Sequence, residues 1–282
     1  MHARRGIISL HVSLAAAIAL LLLLPSTGVS LGDSGADGKF ERRESFHFTL
    51  YQDVDLDESS GLRGSRQFEQ DVLRELEAAY DRLDDILKLR PQRKLDVYVW
   101  DAGIFDARFA RLFRFPAAGF YGGTIHIRGS ERVTPMLVRV LHHELVHAAF
   151  DAEAPRVVLP AWMNEGIAEW FEARALGKRS LSRGERATLE GVARRGGLFS
   201  LSELSAPSFG GFSPDAASLA YLQSYGFIDH LVQAHGDSDL VAFWSAVVRS
   251  HSLERASRRA YRRDLDTLER DYLRALGASR AR

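Results

Sequence analysis

The sequence predicts an α+β fold in which a small α/β lobe, with a mixed sheet and an edge strand, is followed by a mainly helical lobe. Short strand patterns flank one long helical pattern within residues 46–130, whereas residues 131–277 are helical over most of their length. The chain has 282 residues, of which 46% are hydrophobic, and this is enough to bury one sizeable core or two small ones. We therefore expect one globular domain over residues 46–277 that contains both lobes.

The N-terminus has the features of an export signal. Two arginines precede an apolar run at residues 7–24, and small residues follow it. Cleavage after Ser30 or Gly32 would suit the small-residue preference of signal processing, and the run is also long enough to stay in place as a membrane anchor. Residues 1–32 are therefore predicted to be a signal peptide or an N-terminal anchor. We expect the rest of the chain to be periplasmic or secreted, with membrane contact only through this segment.

The α/β lobe is predicted to follow a polar spacer at residues 33–45. Alternating apolar and polar residues predict strands at 46–51, 95–100 and 121–127. Between the first two strands, apolar residues at helical spacing predict a helix over 67–89. The resulting order of strand, helix, strand and strand is that of a small α/β lobe.

The helical lobe runs from Thr134 nearly to the end of the chain. Its one clear interruption, at residues 205–214, is rich in Gly, Ser and Pro. Four arginines near the C-terminus are interleaved with acidic residues and predict a solvated helix face. They are Arg258, Arg259, Arg262 and Arg263. Residues 278–282 are expected to form a short tail.

Composition limits the possible classes of function. Lys plus Arg and Asp plus Glu number 37 each, so the chain lacks the excess positive charge of a nucleic-acid-binding protein. It contains no cysteine, which excludes disulfides, a thiol nucleophile and cysteine-ligated metals. Histidine and carboxylate side chains remain as the strong metal ligands.

A pair of histidines marks the first helix of the second lobe. Thr134 can cap this helix and Pro135 suits its first position. His143 and His147 are four residues apart, so their imidazoles lie on one face, one turn apart, and can reach the same ion. Glu144 projects beside them toward a metal-bound water. This is the HExxH arrangement.

A second helical segment, at residues 160–172, supplies a third ligand. Glu165 can meet the two histidines if the helices pack antiparallel, and Gly166 would let the two backbones approach closely. Two histidines and one glutamate leave the fourth zinc position open, which is the pattern of a catalytic site rather than a structural one. Glu169, one turn later, could accept a hydrogen bond from a ligand imidazole, although an ordinary exposed carboxylate is the competing interpretation.

Other conspicuous side chains have simpler interpretations. His142 should point about 100° away from His143 on the helix, so we expect a surface or core histidine rather than a ligand. Trp162 and Trp170 are expected to be packing residues.

The segments that contain His143-Glu144-Leu-Val-His147 and Asn164-Glu165-Gly resemble the gluzincins, the superfamily of thermolysin and related aminopeptidases. Within it the chain looks most like the bacterial peptidase-MA-like group, and weaker similarity continues over about residues 95–277. The loop between the second histidine and the ligand glutamate is slightly shorter here than in the better-known gluzincins. Loop length varies easily between paired helices, so the ligand assignment is retained.

The resemblance implies a zinc metallopeptidase with one Zn²⁺ per chain and a peptide or protein as its substrate. Glu144 would act as the general base on a zinc-bound water. In gluzincins a Tyr or His from the helical part beyond the ligands usually stabilises the oxyanion. Tyr221 is the first candidate for this role because it is nearest to the loop at 205–214, followed by Tyr225 and then His230.

The resemblance also implies an edge strand that binds an extended substrate through main-chain hydrogen bonds. The equivalent here is residues 119–127, with Gly119, Phe120, Tyr121 and Gly122 as the expected contacts, and the glycines would leave room for a substrate backbone. Gluzincin aminopeptidases carry a Gly-x-Met-Glu-Asn segment near this point, whose glutamate binds the substrate amino group. This chain has no such segment, which favours an endopeptidase.

A function from a different class is also compatible with these motifs. An exported zinc-binding or assembly protein could keep the fold without hydrolysing peptides, since fold alone does not establish activity. Glu144 favours the enzyme, because a purely structural zinc site does not need it.

Overall fold

The computed structural model describes residues 40–53, 65–109, 112, 117–130, 132–155 and 157–277. These residues form a mixed sheet and a set of helices, most of them in the second half of the chain. The strands are β1 Phe40–Glu44, β2 Phe48–Asp53, β3 Leu95–Trp100, β4 Gly119–Tyr121 and β5 Ile125–Arg128. The helices of the first part are α1 Ser65–Leu87 and α2 Ala102–Phe109. Those that follow are α3 Pro135–Glu153, α4 Ala161–Ala175, α5 Arg183–Arg194, α6 Pro214–His235, α7 Asp237–Ser250, α8 Leu253–Tyr261 and α9 Leu265–Ala275, with a short 3₁₀ turn at Glu203–Ser205. The predicted α+β class, with a mainly helical second part, is confirmed.

The sheet has the order β1-β2-β3-β5-β4, with β1 and β4 at its two edges. The three inner strands are mutually parallel, whereas each edge strand runs antiparallel to its neighbour. β1 lies inside the stretch 33–45 for which only a polar spacer was predicted. Its sequence, FERRE, is mostly charged and exposed because it pairs along one side only, so no apolar alternation marked it as a strand.

The prediction of a single strand at 121–127 is wrong, because this stretch forms parts of two strands. β4 and β5 are the two arms of a hairpin, and Gly123, with a φ angle of 90°, lies in the turn between them. A positive φ is accessible to glycine at little cost, which lets the chain reverse here. The apolar residues on either side of the turn continue one alternating pattern and concealed the reversal.

The other elements of the first lobe begin and end close to their predicted bounds. β3 matches its prediction, β2 begins two residues later than expected, and α1 ends before Lys88, whose φ of 55° is left-handed. The helix α2 was not predicted. It begins after Asp101, whose carboxylate accepts hydrogen bonds from the backbone amides of Gly103 and Ile104 at 2.8 and 3.0 Å.

α3 begins as the sequence predicts. Thr134 is its N-cap, the Thr134 hydroxyl accepts a hydrogen bond from the Leu137 amide at 3.1 Å, and Pro135 is the first helical residue. The Gly-, Ser- and Pro-rich interruption is also present: α6 starts at Pro214, with Ser213 as its cap. The four C-terminal arginines are exposed, but only Arg258 and Arg259 lie on a helix, α8. Arg262 and Arg263 lie in the connection between α8 and α9, so the predicted helix face is wrong for these two.

The two lobes share one continuous hydrophobic core. The helices α1 and α3 pack against one face of the sheet, and α3 also packs against α4, which in turn packs against α6. The buried side chains of all these elements belong to a single cluster. A second, smaller cluster of Trp100, Phe105 and Phe120 covers the opposite face of the sheet beneath α2. α3 therefore lies between the sheet and the helical lobe.

Gly166 allows a close approach, but to a different helix from the one expected. A methyl group at this position would lie 2.7 Å from the Ser224 carbonyl oxygen and 2.9 Å from Ile228 Cγ1. Both residues belong to α6, so the glycine lets α4 pack closely on α6 rather than on α3. Sequence alone could not identify this partner, because α6 is distant along the chain.

Several predictions concern residues outside the described part of the chain. They include the export segment 1–32, most of the spacer and the tail 278–282. Within the described residues, none of the helices combines the length and apolar character that crossing a bilayer requires.

Candidate metal centre

Three predicted ligands come together between α3 and α4. His143 and His147 lie one turn apart on α3, and Glu165 reaches them from α4. The Glu165 Oε2 atom is 3.3 Å from His143 Nε2 and 3.4 Å from His147 Nε2. One ligand atom from each of the three side chains falls within 4.8 Å of the others, a spacing that could hold a metal ion.

The donor atoms of this cluster fit a divalent cation. All three side chains are buried, and His147 Nε2 has no hydrogen-bond partner among the described residues. A buried polar atom without a partner costs free energy, and two imidazoles with one carboxylate form a donor set typical of catalytic zinc. Burial alone would raise the pKa of Glu165, but His147 and His143 lower it below its ordinary value. The carboxyl group is therefore held in the ionised form that a metal ligand requires.

Asn164, immediately before the candidate ligand Glu165, contacts the His147 imidazole. Its Oδ1 atom is 3.1 Å from His147 Nδ1, so this nitrogen is the donor and Nε2 is left facing Glu165. Sequence analysis did not assign this role. The available signal was its position next to a ligand, on the helix that faces the two histidines.

Two more carboxyl groups, those of Glu172 and Glu169, lie close to His143. The Glu172 Oε2 atom is 3.6 Å from His143 Nδ1, and the other oxygen of Glu172 pairs with the Arg139 guanidinium. Glu169, predicted to contact a ligand imidazole, lies in the same group but farther from His143 than Glu172 does. Burial and the neighbouring Glu172 raise the pKa of Glu169 to about 8. Neither Glu172 nor Arg139 was singled out in the sequence.

Glu144 lies beside the three ligands with both carboxylate oxygens buried. Neither oxygen has a hydrogen-bond partner among the described residues. Burial raises the pKa of Glu144, while the neighbouring histidines and the Tyr121 backbone amide act in the opposite direction. A buried carboxylate whose pKa is raised takes up a proton more readily than an ordinary glutamate, which suits a general base.

The hydroxyl group of Tyr221, the first predicted oxyanion donor, is influenced by the candidate base Glu144 and the candidate ligand Glu165. Burial and the carboxylates of Glu165, Glu169 and Glu144 raise its pKa well above the ordinary value, so the hydroxyl group keeps its proton. The Tyr221 hydroxyl is buried and lacks a hydrogen-bond partner among the described residues. Its ring packs edge-on against Phe209, at 5.2 Å, from the loop before α6.

The two other oxyanion candidates have different surroundings. The Tyr225 ring lies beneath the Lys178 ammonium group at 4.8 Å, and His230 packs against Tyr272 at 5.6 Å. Lys178 lies in the connection between α4 and α5, and Tyr272 lies on α9.

The predicted substrate-binding segment includes the edge strand β4. Two hydrogen bonds of 2.9 Å fix the hairpin register, and they join the amides of Arg128 and Gly122 to the carbonyls of Ala118 and Thr124, respectively. Bonded and non-bonded pairs alternate in an antiparallel ladder. Gly119 and Tyr121 therefore take the non-bonded positions, and their backbone N–H and C=O groups point away from β5. Glu144, whose pKa the Tyr121 backbone amide lowers, lies on this outer side of β4.

The glycines of this hairpin serve packing and turn formation, which corrects the expectation that they leave room for a substrate. A methyl group at Gly119 would lie 2.8 Å from both Val140 Cγ1 and the His126 carbonyl oxygen. At Gly122 it would lie 3.2 Å from the Phe120 ring. The space beside Gly119 and Gly122 is thus filled by the protein itself, whereas no atom lies within 4 Å of a methyl group placed at Gly123. The outward backbone groups of β4, rather than missing side chains, remain as the feature that could bind an extended peptide.

The side chains predicted to lie outside the site do so. The His142 imidazole is buried on the α1 side of α3, with Nε2 3.0 Å from the Arg82 guanidinium. Trp162 and Trp170 are buried, and Trp162 packs against Phe227 and Phe243. They are packing residues, as predicted.

Comparison with known proteins identifies the family of this chain. A sequence model of the peptidase MA superfamily matches residues 83–278, well over half of the chain, and this match includes α3, α4 and α6. A comparison with curated proteins gave no match. The family match covers both helices that carry the candidate ligands, and the resemblance noted in the sequence is thereby confirmed. The chain belongs to the peptidase MA superfamily.

Proposed function

We propose that this protein is a zinc-dependent endopeptidase that acts outside the cytoplasm. The observation that carries the proposal is the buried group of His143, His147 and Glu165 with the unpaired carboxylate of Glu144 beside it. Membership of the peptidase MA superfamily supports a peptidase-like function for this arrangement. A structural metal site would need the three ligands but would gain nothing from an unpaired buried base.

The proposed mechanism divides the chemistry among a few side chains. When bound by His143, His147 and Glu165, Zn²⁺ supplies Lewis acidity and lowers the pKa of water. Glu144 takes a proton from the attacking water and later delivers it to the leaving amine. Tyr221, which keeps its proton, donates a hydrogen bond to the oxygen that becomes negative as the carbonyl is attacked.

The outer side of β4 is the proposed binding site for the substrate backbone. Gly119 and Tyr121 offer outward N–H and C=O groups, and an extended peptide can pair with such an edge as an added strand. The Tyr121 amide neighbours Glu144, so a peptide paired here would bring a backbone carbonyl close to the base. Main-chain pairing does not depend on substrate side chains, which suits an enzyme that cuts within a chain.

We expect peptides with acetylated N-termini to be cleaved about as fast as their free-amine counterparts. Binding of a free α-ammonium group requires a positioned anion, and the described residues of the hairpin 117–130 contain no Asp or Glu. The nearest following carboxylate, Glu131, lies outside the described residues. The measurement is a cleavage profile of a peptide library offered in both forms, together with the zinc content of the purified protein.

Two results of this experiment would contradict the proposal. Strong preference for free N-termini would make the protein an aminopeptidase and leave the zinc site intact. A zinc-loaded protein that cleaves no peptide in the library would favour a zinc-binding or assembly protein that keeps the fold without hydrolysis.

We also propose that the chain is exported. Two arginines followed by the apolar run at 7–24 should direct it across a membrane, and cleavage should leave an N-terminus near Leu31 or Asp33. Fractionation of a C-terminally tagged protein and N-terminal sequencing check this prediction. A matched variant that lacks residues 1–32 should stay in the cytosol. Recovery of the full-length chain in the cytosol with Met1 attached would contradict it.

A further inference from the structure

We propose that Glu172, held in place by Arg139, is the residue that positions the ligand His143. This inference rests on the proposed zinc site and goes beyond it, because the spacing of the sequence assigns the positioning role to Glu169. Three side chains in contact, from the partly exposed Arg139 through the buried Glu172 to the buried His143, connect the protein surface to the candidate ligand cluster.

The two nitrogens of His143 face different partners. Nε2 is directed at the ligand cluster, 3.3 Å from the Glu165 carboxylate, so Nδ1 is the nitrogen left to donate a hydrogen bond. Nδ1 is buried and has no hydrogen-bond partner among the described residues, and Glu172 Oε2 is 3.6 Å away. A small rotation of either side chain would turn this approach into a hydrogen bond. Such a bond fixes the tautomer of a ligand imidazole and makes it a better donor to the metal.

Arg139 explains why Glu172 rather than Glu169 can position the His143 imidazole. Arg139 lies one turn before His143 on α3, and its guanidinium pairs with the oxygen of Glu172 that does not face the imidazole. The Glu172 side chain is only 3% exposed, and an ionised carboxylate at such a site requires a partner. The Arg139 side chain is 35% exposed, so this arginine remains in contact with solvent. Glu169 has no ion pair of this kind among the described residues.

The same observation argues against a second metal ion. His143, Glu169 and Glu172 are close enough together to be a possible ligand group. The Arg139 guanidinium, however, already provides a positive charge at Glu172, and a divalent cation there would be repelled by it. We therefore assign this group to orientation of the imidazole rather than to metal binding.

The test compares two matched variants, Glu172→Gln and Glu169→Gln, in the full chain. Both changes replace one carboxyl group of α4 with an amide of nearly the same shape. We expect Glu172→Gln to weaken zinc binding by about 10- to 100-fold, and Glu169→Gln to leave it within about threefold of wild type. Zinc affinity is measured by competition with a chromophoric chelator and does not require peptidase activity. A larger effect of Glu169→Gln, or equal effects of both changes, would overturn the assignment.

Three further variants test the role of Arg139. Arg139→Gln should weaken zinc binding in the same direction, Arg139→Lys should restore part of it, and the double variant Arg139→Gln/Glu172→Gln should be no weaker than Glu172→Gln alone, because both changes act through one contact. In the zinc-loaded wild type, proton NMR should detect a slowly exchanging His143 Nδ1 proton that Glu172→Gln loses. Additive effects of the two changes, or an unchanged Nδ1 signal, would overturn the proposal.

Wild-type protein separates failure of this inference from failure of the proposed function. If the wild type binds zinc tightly and Glu172→Gln binds it equally well, only the positioning role is wrong. If the wild type binds no zinc, the proposed function fails and this inference fails with it. Should Glu172→Gln not fold, the partly exposed Arg139→Gln and Arg139→Lys pair gives the same affinity and NMR readouts.

Discussion

Glu144→Gln is expected to lower peptidase activity by about 10² to 10⁴-fold while the protein keeps about one zinc ion per chain. Glutamine retains the shape of the side chain but cannot take a proton from water. The Glu144 carboxylate is not among the side chains whose atoms converge on the candidate metal position, so zinc binding should persist. Peptide cleavage and metal content, measured on the same preparation, check both parts of the prediction.

A suitable control for this variant is Glu153→Gln. Glu153 is the last residue of α3 and is exposed, so the same substitution on the same helix should leave activity and zinc content unchanged. Full activity in Glu144→Gln would contradict the proposed mechanism. Loss of zinc together with activity would instead show that Glu144 supports the ligands rather than the attacking water.

Glu165→Ala is expected to lose bound zinc, and activity with it. The change removes one of three ligands and leaves two buried imidazoles, so affinity should fall by more than the about 100-fold expected of a residue that only orients a ligand. Zinc content after dialysis against a weak chelator gives the result directly. Glu165→Asp, which keeps a shorter carboxylate, should retain part of the affinity. Full zinc occupancy in Glu165→Ala would show that the third ligand is wrongly assigned.

The ligand cluster could be predicted from the sequence because its geometry is mostly local. His143 and His147 share a helix face whatever the tertiary structure, since four residues are close to one turn. Thr134 and Pro135 fix the start of that helix. Only the contact with Glu165 is non-local, and a short connection between two helices leaves few ways for them to pack.

The residues that orient the ligands were harder to predict. Asn164 and Glu172 lie on α4 at positions that are conspicuous only when the distance to each imidazole is known. The choice between Glu169 and Glu172 depends on Arg139, a residue of another helix whose pairing cannot be read from spacing. The prediction that α3 packs closely on Gly166 was wrong for the same reason. Which two helices approach each other closely is a tertiary property that one sequence does not reveal.

The sheet was predicted incompletely because strand pairing joins distant segments. β1 is a charged edge strand that pairs with β2 alone, so it lacks the apolar alternation that marks inner strands. The hairpin of β4 and β5 reads as one strand because its pattern passes through the turn without a break. Weak burial explains only the first misreading, because β1 is largely exposed whereas β4 and β5 are almost completely buried.

The shared core has a thermodynamic consequence for any cation that binds between α3 and α4. Because α3 packs against the sheet on one side and α4 on the other, the ligands belong to the same cooperative unit as both lobes. An ion that binds the native state and not the unfolded chain then stabilises the entire unit, by about 2.7 kcal/mol when free metal is at 100 times its dissociation constant. The melting temperature of the whole protein should therefore rise with free metal concentration. The size of the increase depends on the ratio of free metal to its dissociation constant.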